Sequence, residues 1–291
     1  MTQNIMKIII YFIEYIVVKI LFFLFTFIGY KNSSNLGFLI GKYFGPLFRS
    51  KSLIKNNLIQ ANISDKNNFD LIATNVLGNY GRIFSEYVFL KDFRNEKLAN
   101  YISINGQKYL DDIIKKQKKV VFISGHFNNF ELMAMQLEKY GVNLTAIYRP
   151  LNNIFLNKTM EKIRTHFICK KQIKKGRSGS RELVKNFKEG SSIALMIDQR
   201  VREGISVPFF QKSCSTTTIP AQLVKKYECE IVPIYIERKK NHFFEMTVSQ
   251  PLVFNKSLSI DDISVELNKI LEKMILKNLD QWIWTHNRWQ K

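Results

Sequence analysis

Residues Ile8 to Tyr30 read IIIYFIEYIVVKILFFLFTFIGY, an almost unbroken apolar run. A helix needs about 20 such residues to cross the hydrocarbon of a bilayer, so this run has the length of a membrane anchor. Glu14 and Lys19 interrupt it. A charge at mid-bilayer is expensive, so the segment either lies partly in the interface or meets protein at those points. No small-residue cleavage pattern follows, which reads as an uncleaved anchor. The competing reading is the core helix of a soluble protein. A second apolar stretch, Leu36 to Phe48, reads as an interfacial helix.

Charge sets the expected orientation. Lys7 alone precedes the run, whereas Lys31, Lys42, Arg49, Lys51 and Lys55 follow it. The positive-inside rule then places the body of the protein in the cytoplasm. The chain as a whole carries 44 Lys+Arg against 24 Asp+Glu, a net charge of +20. Such a surplus attracts polyanions: anionic membrane, nucleic acid or an acidic protein. No helix-turn-helix, zinc-finger or RNP-like pattern appears, so a nucleic-acid partner is not expected. Cys169, Cys214 and Cys229 form no CxxC pair, so neither a disulfide framework nor a metal site is expected.

Behind the anchor, residues 50 to 115 read as helical and polar on one face. From Lys118 the pattern alternates. KVVFISG, VNLTAIY, SSIALMID, EIVPIYIER and FFEMTVS read as strands. Residues 129–141, 152–168, 179–189, 216–228 and 260–278 read as helices. Alternation of this kind implies an α/β domain, a mostly parallel sheet flanked by helices. Two parts are expected: an anchor over residues 1–30 and an α/β domain over 31–291.

The sharpest local feature is Gly125-His126-Phe127-Asn128-Asn129-Phe130-Glu131, placed where a strand ends and a helix begins. In open α/β sheets that edge is where ligands bind. Histidine takes a proton near neutral pH, and a carboxylate on its other ring nitrogen would fix its tautomer. A spacing of five puts two side chains about 140° apart on one helix. The two therefore meet only with His126 in the turn and Glu131 in the first helical turn. Asn128-x-x-Glu131 also matches a capping box, in which Glu131 merely caps the helix. Asp198 and Gln199 end a strand on the same sheet edge; Asp198 either fixes an arginine or the site loop, or is structural.

Taken together, these blocks resemble a known family. GHFNNFE resembles the HxxxxD/E motif of the lysophospholipid acyltransferase superfamily, and more narrowly that of the lipid A late acyltransferases. IYRP at Ile147 to Pro150, ALMIDQR, VPFFQKSCSTTTIPAQLVKKYECEIVPIYIER and QWIWTHNRW resemble further blocks of that family, in its order. The resemblance implies a glycerolipid-acyltransferase-like fold. It implies an enzyme in which His126 and Glu131 are catalytic, with Glu131 orienting His126. The donor would be acyl-acyl carrier protein, with no other cofactor, and the acceptor a hydroxyl of a phosphorylated lipid A precursor. Asn128-Asn129 departs from the family's usual Gly-Asn pair and leaves the dyad intact. Arg149, Arg164, Arg177 and Asp198 are the expected substrate-binding residues, the three arginines in a stretch from Arg149 to Lys188 holding 12 basic and 2 acidic residues. Other readings are an acyltransferase of the same superfamily acting on another lipid or glycolipid, and a non-enzymatic basic protein binding membrane or nucleic acid.

Overall fold

The computed structural model describes residues 2–240 and 242–290; the side chains of residues 2–4 and of Arg177 lie outside this description. Two long helices come first, α1 (Thr2–Ile28) and α2 (Tyr30–Phe48), broken at Gly29, whose φ of 78° suits glycine. Then follow α3 (Lys51–Gln60), α4 (Phe69–Glu86) and α5 (Leu90–Arg94). The α/β part runs β1 (Ile102–Asn105), α6 (Gln107–Lys115), β2 (Val121–Ser124), α7 (Glu131–Lys139), β3 (Leu144–Tyr148) and α8 (Ile154–Ile163). It continues with β4 (Lys171–Lys174), α9 (Arg177–Lys188), β5 (Ser192–Met196), β6 (Ile205–Phe209) and β7 (Lys212–Thr216). The last elements are α10 (Ile219–Tyr227), β8 (Ile231–Arg238), β9 (Phe244–Val248) and α11 (Ile260–Lys277).

Seven strands form one sheet in the order β1-β9-β8-β2-β5-β3-β4. Pairings β8–β2, β2–β5, β5–β3, β3–β4 and β9–β1 are parallel, and β8–β9 is antiparallel. The mostly parallel α/β sheet expected from the alternation is present. Strand β2, Val-Phe-Ile-Ser, is buried at every position, as a central strand covered on both faces must be. Strands β8, β2, β5, β3 and β4 all point one way. Their carboxyl ends, carrying Arg238, Gly125-His126, Ile197-Asp198, Arg149 and Lys175, therefore lie along one edge.

Helix α1 packs against this body along its length. Phe12 and Tyr15 sit 5.6 and 6.1 Å from the Phe155 ring of α8, and Phe22 and Phe25 sit 5.3 and 6.1 Å from Phe84 of α4. Tyr11, Tyr15, Val18, Phe22 and Phe25 recur at helical spacing and are less exposed than their neighbours. From Tyr11 to Phe25 this contact runs about 21 Å at 1.5 Å per residue. Glu14 finds a partner there: Asn153, which caps α8 through its Oδ1, donates from Nδ2 to Glu14 Oε2 at 2.9 Å and to the Tyr11 carbonyl at 2.8 Å. The other side of α1 is exposed apolar surface, with Phe27 84% accessible. Residues Ile5–Ile28 are long and apolar enough to cross a membrane.

Helix α2 crosses α4 with almost no side chains between the backbones. A Cβ on Gly41 would lie 2.2 Å from the Leu77 carbonyl oxygen, and one on Gly81 would lie 1.9 Å from that of Gly37. Small residues four apart permit this approach, as in membrane helix pairs. The outward side of α2 leaves Leu36, Leu39, Tyr43, Phe44, Leu47 and Phe48 exposed.

Candidate active site

Strand β2 delivers His126 to the sheet edge through Gly125. A Cβ at Gly125 would press to 3.0 Å on Leu271 and Phe127 and to 3.1 Å on Asp198 Oδ2, so a larger residue would displace what comes next. The His126 backbone N–H donates to Asp198 Oδ2 at 2.7 Å, and Nδ1 lies 2.8 Å from Asp198 Oδ1. Asp198 also accepts from Trp282 Nε1 at 2.9 Å and is fully buried. An ionised carboxylate can only accept, so Nδ1 carries the proton and Nε2 presents its lone pair. The imidazole keeps 19% of its surface accessible and packs edge-on to Phe130.

Burial works against a charged imidazole, but the charge and hydrogen bond of Asp198 outweigh it, and Glu131 adds to them. The His126 pKa is thereby raised above the ordinary 6.5. Burial likewise opposes the Asp198 carboxylate, and His126 outweighs it, so Asp198 is held below the usual carboxylate range.

Glu131 departs from its expected role. No hydrogen bond joins it to His126 among the described residues. Its Oε1 accepts from Arg164 Nε at 3.0 Å and Nη2 at 2.7 Å, and also from the Tyr87 hydroxyl. Nor does it close a capping box: the first turn of α7 has no side-chain cap. The reason is topological. Nδ1 of His126 meets the end of the neighbouring strand β5, while the first turn of α7 meets Tyr87, just after α4, and the π-helical turn Arg164–Ile168. Arg164 is therefore engaged by a protein carboxylate. Burial opposes its charge, and Glu131 outweighs that, raising its pKa.

The rest of the turn is held by a buried polar network. Asn128 takes a positive φ of 43°. Its Oδ1 accepts from Arg238 Nε at 3.0 Å, its N–H donates to the Gln281 carbonyl at 2.9 Å, and its Nδ2 donates to the Gln281 side chain. Arg238 pairs with Glu86 at 2.7 Å, with side chains 5% and 0% exposed. Glu86 also accepts from Asn129 Nδ2 at 3.1 Å and Ser34 Oγ at 2.7 Å. Sequence reasoning missed Tyr87, Glu86, Arg238, Gln281 and Trp282 as parts of the site. Of these, Arg238, Gln281 and Trp282 lie inside blocks that carried the family resemblance.

Arg149 follows β3 on the same edge; it is exposed and has no partner among the described residues. Arg177 opens α9, and its side chain lies outside the described residues. Beside His126 a cleft is lined by Val76, Tyr80, Ile83, Phe130, Trp282 and Ile283, with Asn79, Asn128, Asp280 and Gln281 among them. A largely apolar cleft with one free imidazole nitrogen suits proton abstraction from a hydroxyl on an amphiphilic molecule.

The sequence model of the family described as bacterial lipid A biosynthesis acyltransferase matches residues 2–291. The chain belongs to that family. This acyltransferase is 22% identical over 232 residues to a lipid A biosynthesis acyltransferase of Haemophilus influenzae, covering 77% of this chain and 72% of that protein. It is 22% identical to a lipid A biosynthesis lauroyltransferase of Escherichia coli, covering 67% of this chain and 64% of that protein, just under two thirds of its length. The solved 1-acyl-sn-glycerophosphate acyltransferase of Thermotoga maritima aligns over 97% of this acyltransferase and 100% of that chain, at 12% identity and a TM-score of 0.42.

Proposed function

We propose that this acyltransferase moves a fatty acyl chain from acyl-acyl carrier protein to a hydroxyl of a phosphorylated lipid A precursor. The observation that carries the mechanism is the His126–Asp198 pair, which leaves Nε2 free at the cleft. Nε2 takes the proton of the acceptor hydroxyl as its oxygen attacks the thioester carbon. Asp198 holds the ring and offsets the charge of the imidazolium. Leu132 and Met133 N–H already donate to the Asn129 and Phe130 carbonyls, so the N–H groups of Asn129, Phe130 and Glu131, which have no acceptor among the described residues, are the donors for the oxyanion. Collapse of the intermediate forms the ester and expels the carrier thiolate, which takes the proton from Nε2. Glu131 supports the site from one side, fixing Arg164 and the first turn of α7. The exposed faces of α1 and α2 dock the enzyme on the inner membrane, with the α/β part on the cytoplasmic side.

The test uses membranes carrying wild type, His126→Ala, Asp198→Asn and Glu131→Gln, with labelled acyl-acyl carrier protein, a phosphorylated lipid A precursor and a lysoglycerolipid. Mass spectrometry reads the products. One added acyl chain on the precursor, lost in His126→Ala, supports the proposal. Acylation of the glycerolipid alone would sink the acceptor assignment, and an active His126→Ala would sink the mechanism.

A further inference from the structure

A second polar pocket, of about 240 Å³, opens next to the pair and is lined by Arg200, Arg202, His286, Asn287 and Gln290. Arg200 and Arg202 follow Asp198 directly on the turn leaving β5. His286 ties the tail to that turn: its Nε2 accepts from the Arg200 backbone N–H at 3.0 Å. That bond places the proton of a neutral His286 on Nδ1, as a donor. Burial pushes His286 below the ordinary 6.5. Arg200 stands two residues beyond Asp198 and holds His286 through its backbone N–H, so the pocket borders the His126–Asp198 pair.

Its charge is unbalanced. Neither the Arg200 nor the Arg202 guanidinium has a carboxylate partner among the described residues, whereas Arg164 and Arg238 are paired. Arg288, in sequence between Asn287 and Gln290, is fully buried without a carboxylate, bonded instead to the Ser215 carbonyl and Thr216 Oγ1. Two free guanidinium groups, two amide side chains and an imidazole N–H are donors in excess, and a phosphoryl group supplies acceptors of matching charge.

We infer that Arg200 and Arg202, with His286, Asn287 and Gln290, form a phosphate-binding pocket that seats a phosphoryl group of one substrate while its reacting group lies at His126. The inference rests on the acyl-transfer reading above. That reading contains two such groups: the phosphodiester of the carrier protein's phosphopantetheine arm, and the phosphates of the glycolipid acceptor.

The experiment compares full-length wild type in detergent with the double variant Arg200→Gln/Arg202→Gln, which spares the backbone bond to His286. Thermal unfolding is followed at constant ionic strength, with inorganic phosphate replacing chloride. Phosphate should raise the wild-type midpoint and leave that of the double variant unmoved. The steady-state KM is then measured separately for donor and acceptor. Loss of charge-assisted hydrogen bonds should raise one KM about ten-fold or more. A rise for acyl-acyl carrier protein, absent with an acyl-pantetheine lacking phosphate, assigns the pocket to the donor arm. A rise for the phosphorylated acceptor, absent with its dephosphorylated form, assigns it to the glycolipid. An equal phosphate response in both proteins, or both KM values unchanged, overturns the inference and leaves a solvated basic surface. If wild type transfers no acyl group, the acyl-transfer reading fails, and the phosphate response still decides the pocket.

Discussion

His126 and Asp198 meet because Ser124 and Met196 are register partners: each member of the pair stands two residues beyond that rung of the β2–β5 ladder. Parallel strands leaving the sheet in register bring their next residues to one place. A contact spanning 72 residues of sequence is thus a continuation of the strand pairing.

The pair makes a pH prediction. A general base works in its neutral form, so kcat/KM should fall as pH drops through the His126 pKa, which lies above 6.5. In Asp198→Asn the raising charge is gone and burial remains, so the acid limb should move to lower pH. The plateau should fall about 10²- to 10⁴-fold, the range for losing a positioned base or its tautomer. An unmoved acid limb would show that Asp198 does not set the titration of His126.

Glu131→Gln separates the two carboxylates. Its charge also raises the His126 pKa, but it ranks behind that of Asp198. The acid limb should therefore shift less than in Asp198→Asn. A larger shift in the pH–rate profile would return Glu131 to the role of imidazole partner.

Arg164→Ala leaves Glu131 buried with only the Tyr87 hydroxyl. The pair's side chains are 14% and 8% exposed. Breaking a buried pair of this kind costs about 3–5 kcal/mol. The unfolding midpoint in detergent should fall steeply, and less so in Arg164→Lys, which keeps the charge. Equal midpoints for all three proteins would contradict the pairing.

Glu86→Ala strips the carboxylate from Arg238, Asn129 and Ser34 at once, and the cost falls in the same range, about 3–5 kcal/mol. The change should appear as faster hydrogen exchange in the turn 126–130 as well as in α4. Exchange confined to α4 would uncouple this network from the turn that carries His126.

The strands with an apolar pattern were legible in the sequence: β2, β3, β5 and β8 as largely apolar runs, and β9 as an alternation of buried Phe244, Met246 and Val248 with polar residues. Strands β1 (ISIN) and β4 (KQIK) are four residues long, stand at the sheet edges and are mostly solvent-accessible, so they give no apolar run. The hairpin β6–β7 holds Pro208, which disguises a strand. The position of His126 was legible because a strand ending in Gly puts it at the carboxyl edge of the sheet. Its partner was not. Local spacing offers only Glu131, whereas Asp198 follows from knowing that β5 lies beside β2, which the order of elements along the chain does not state. The sequence placed Asp198 on the same sheet edge as His126, as a substrate contact or a residue fixing an arginine or the site loop, and not as the partner of His126.

The glycine crossing of α2 and α4 leaves no compressible layer of side chains between the two helices. A lateral push on the outer face of α2 is therefore passed to α4 almost undamped. Helix α4 carries Val76, Tyr80 and Ile83 on the cleft wall and Glu86 on the catalytic turn. The two helices thus move as one rigid body, and any displacement of α2 carries the wall of the cleft beside His126 with it.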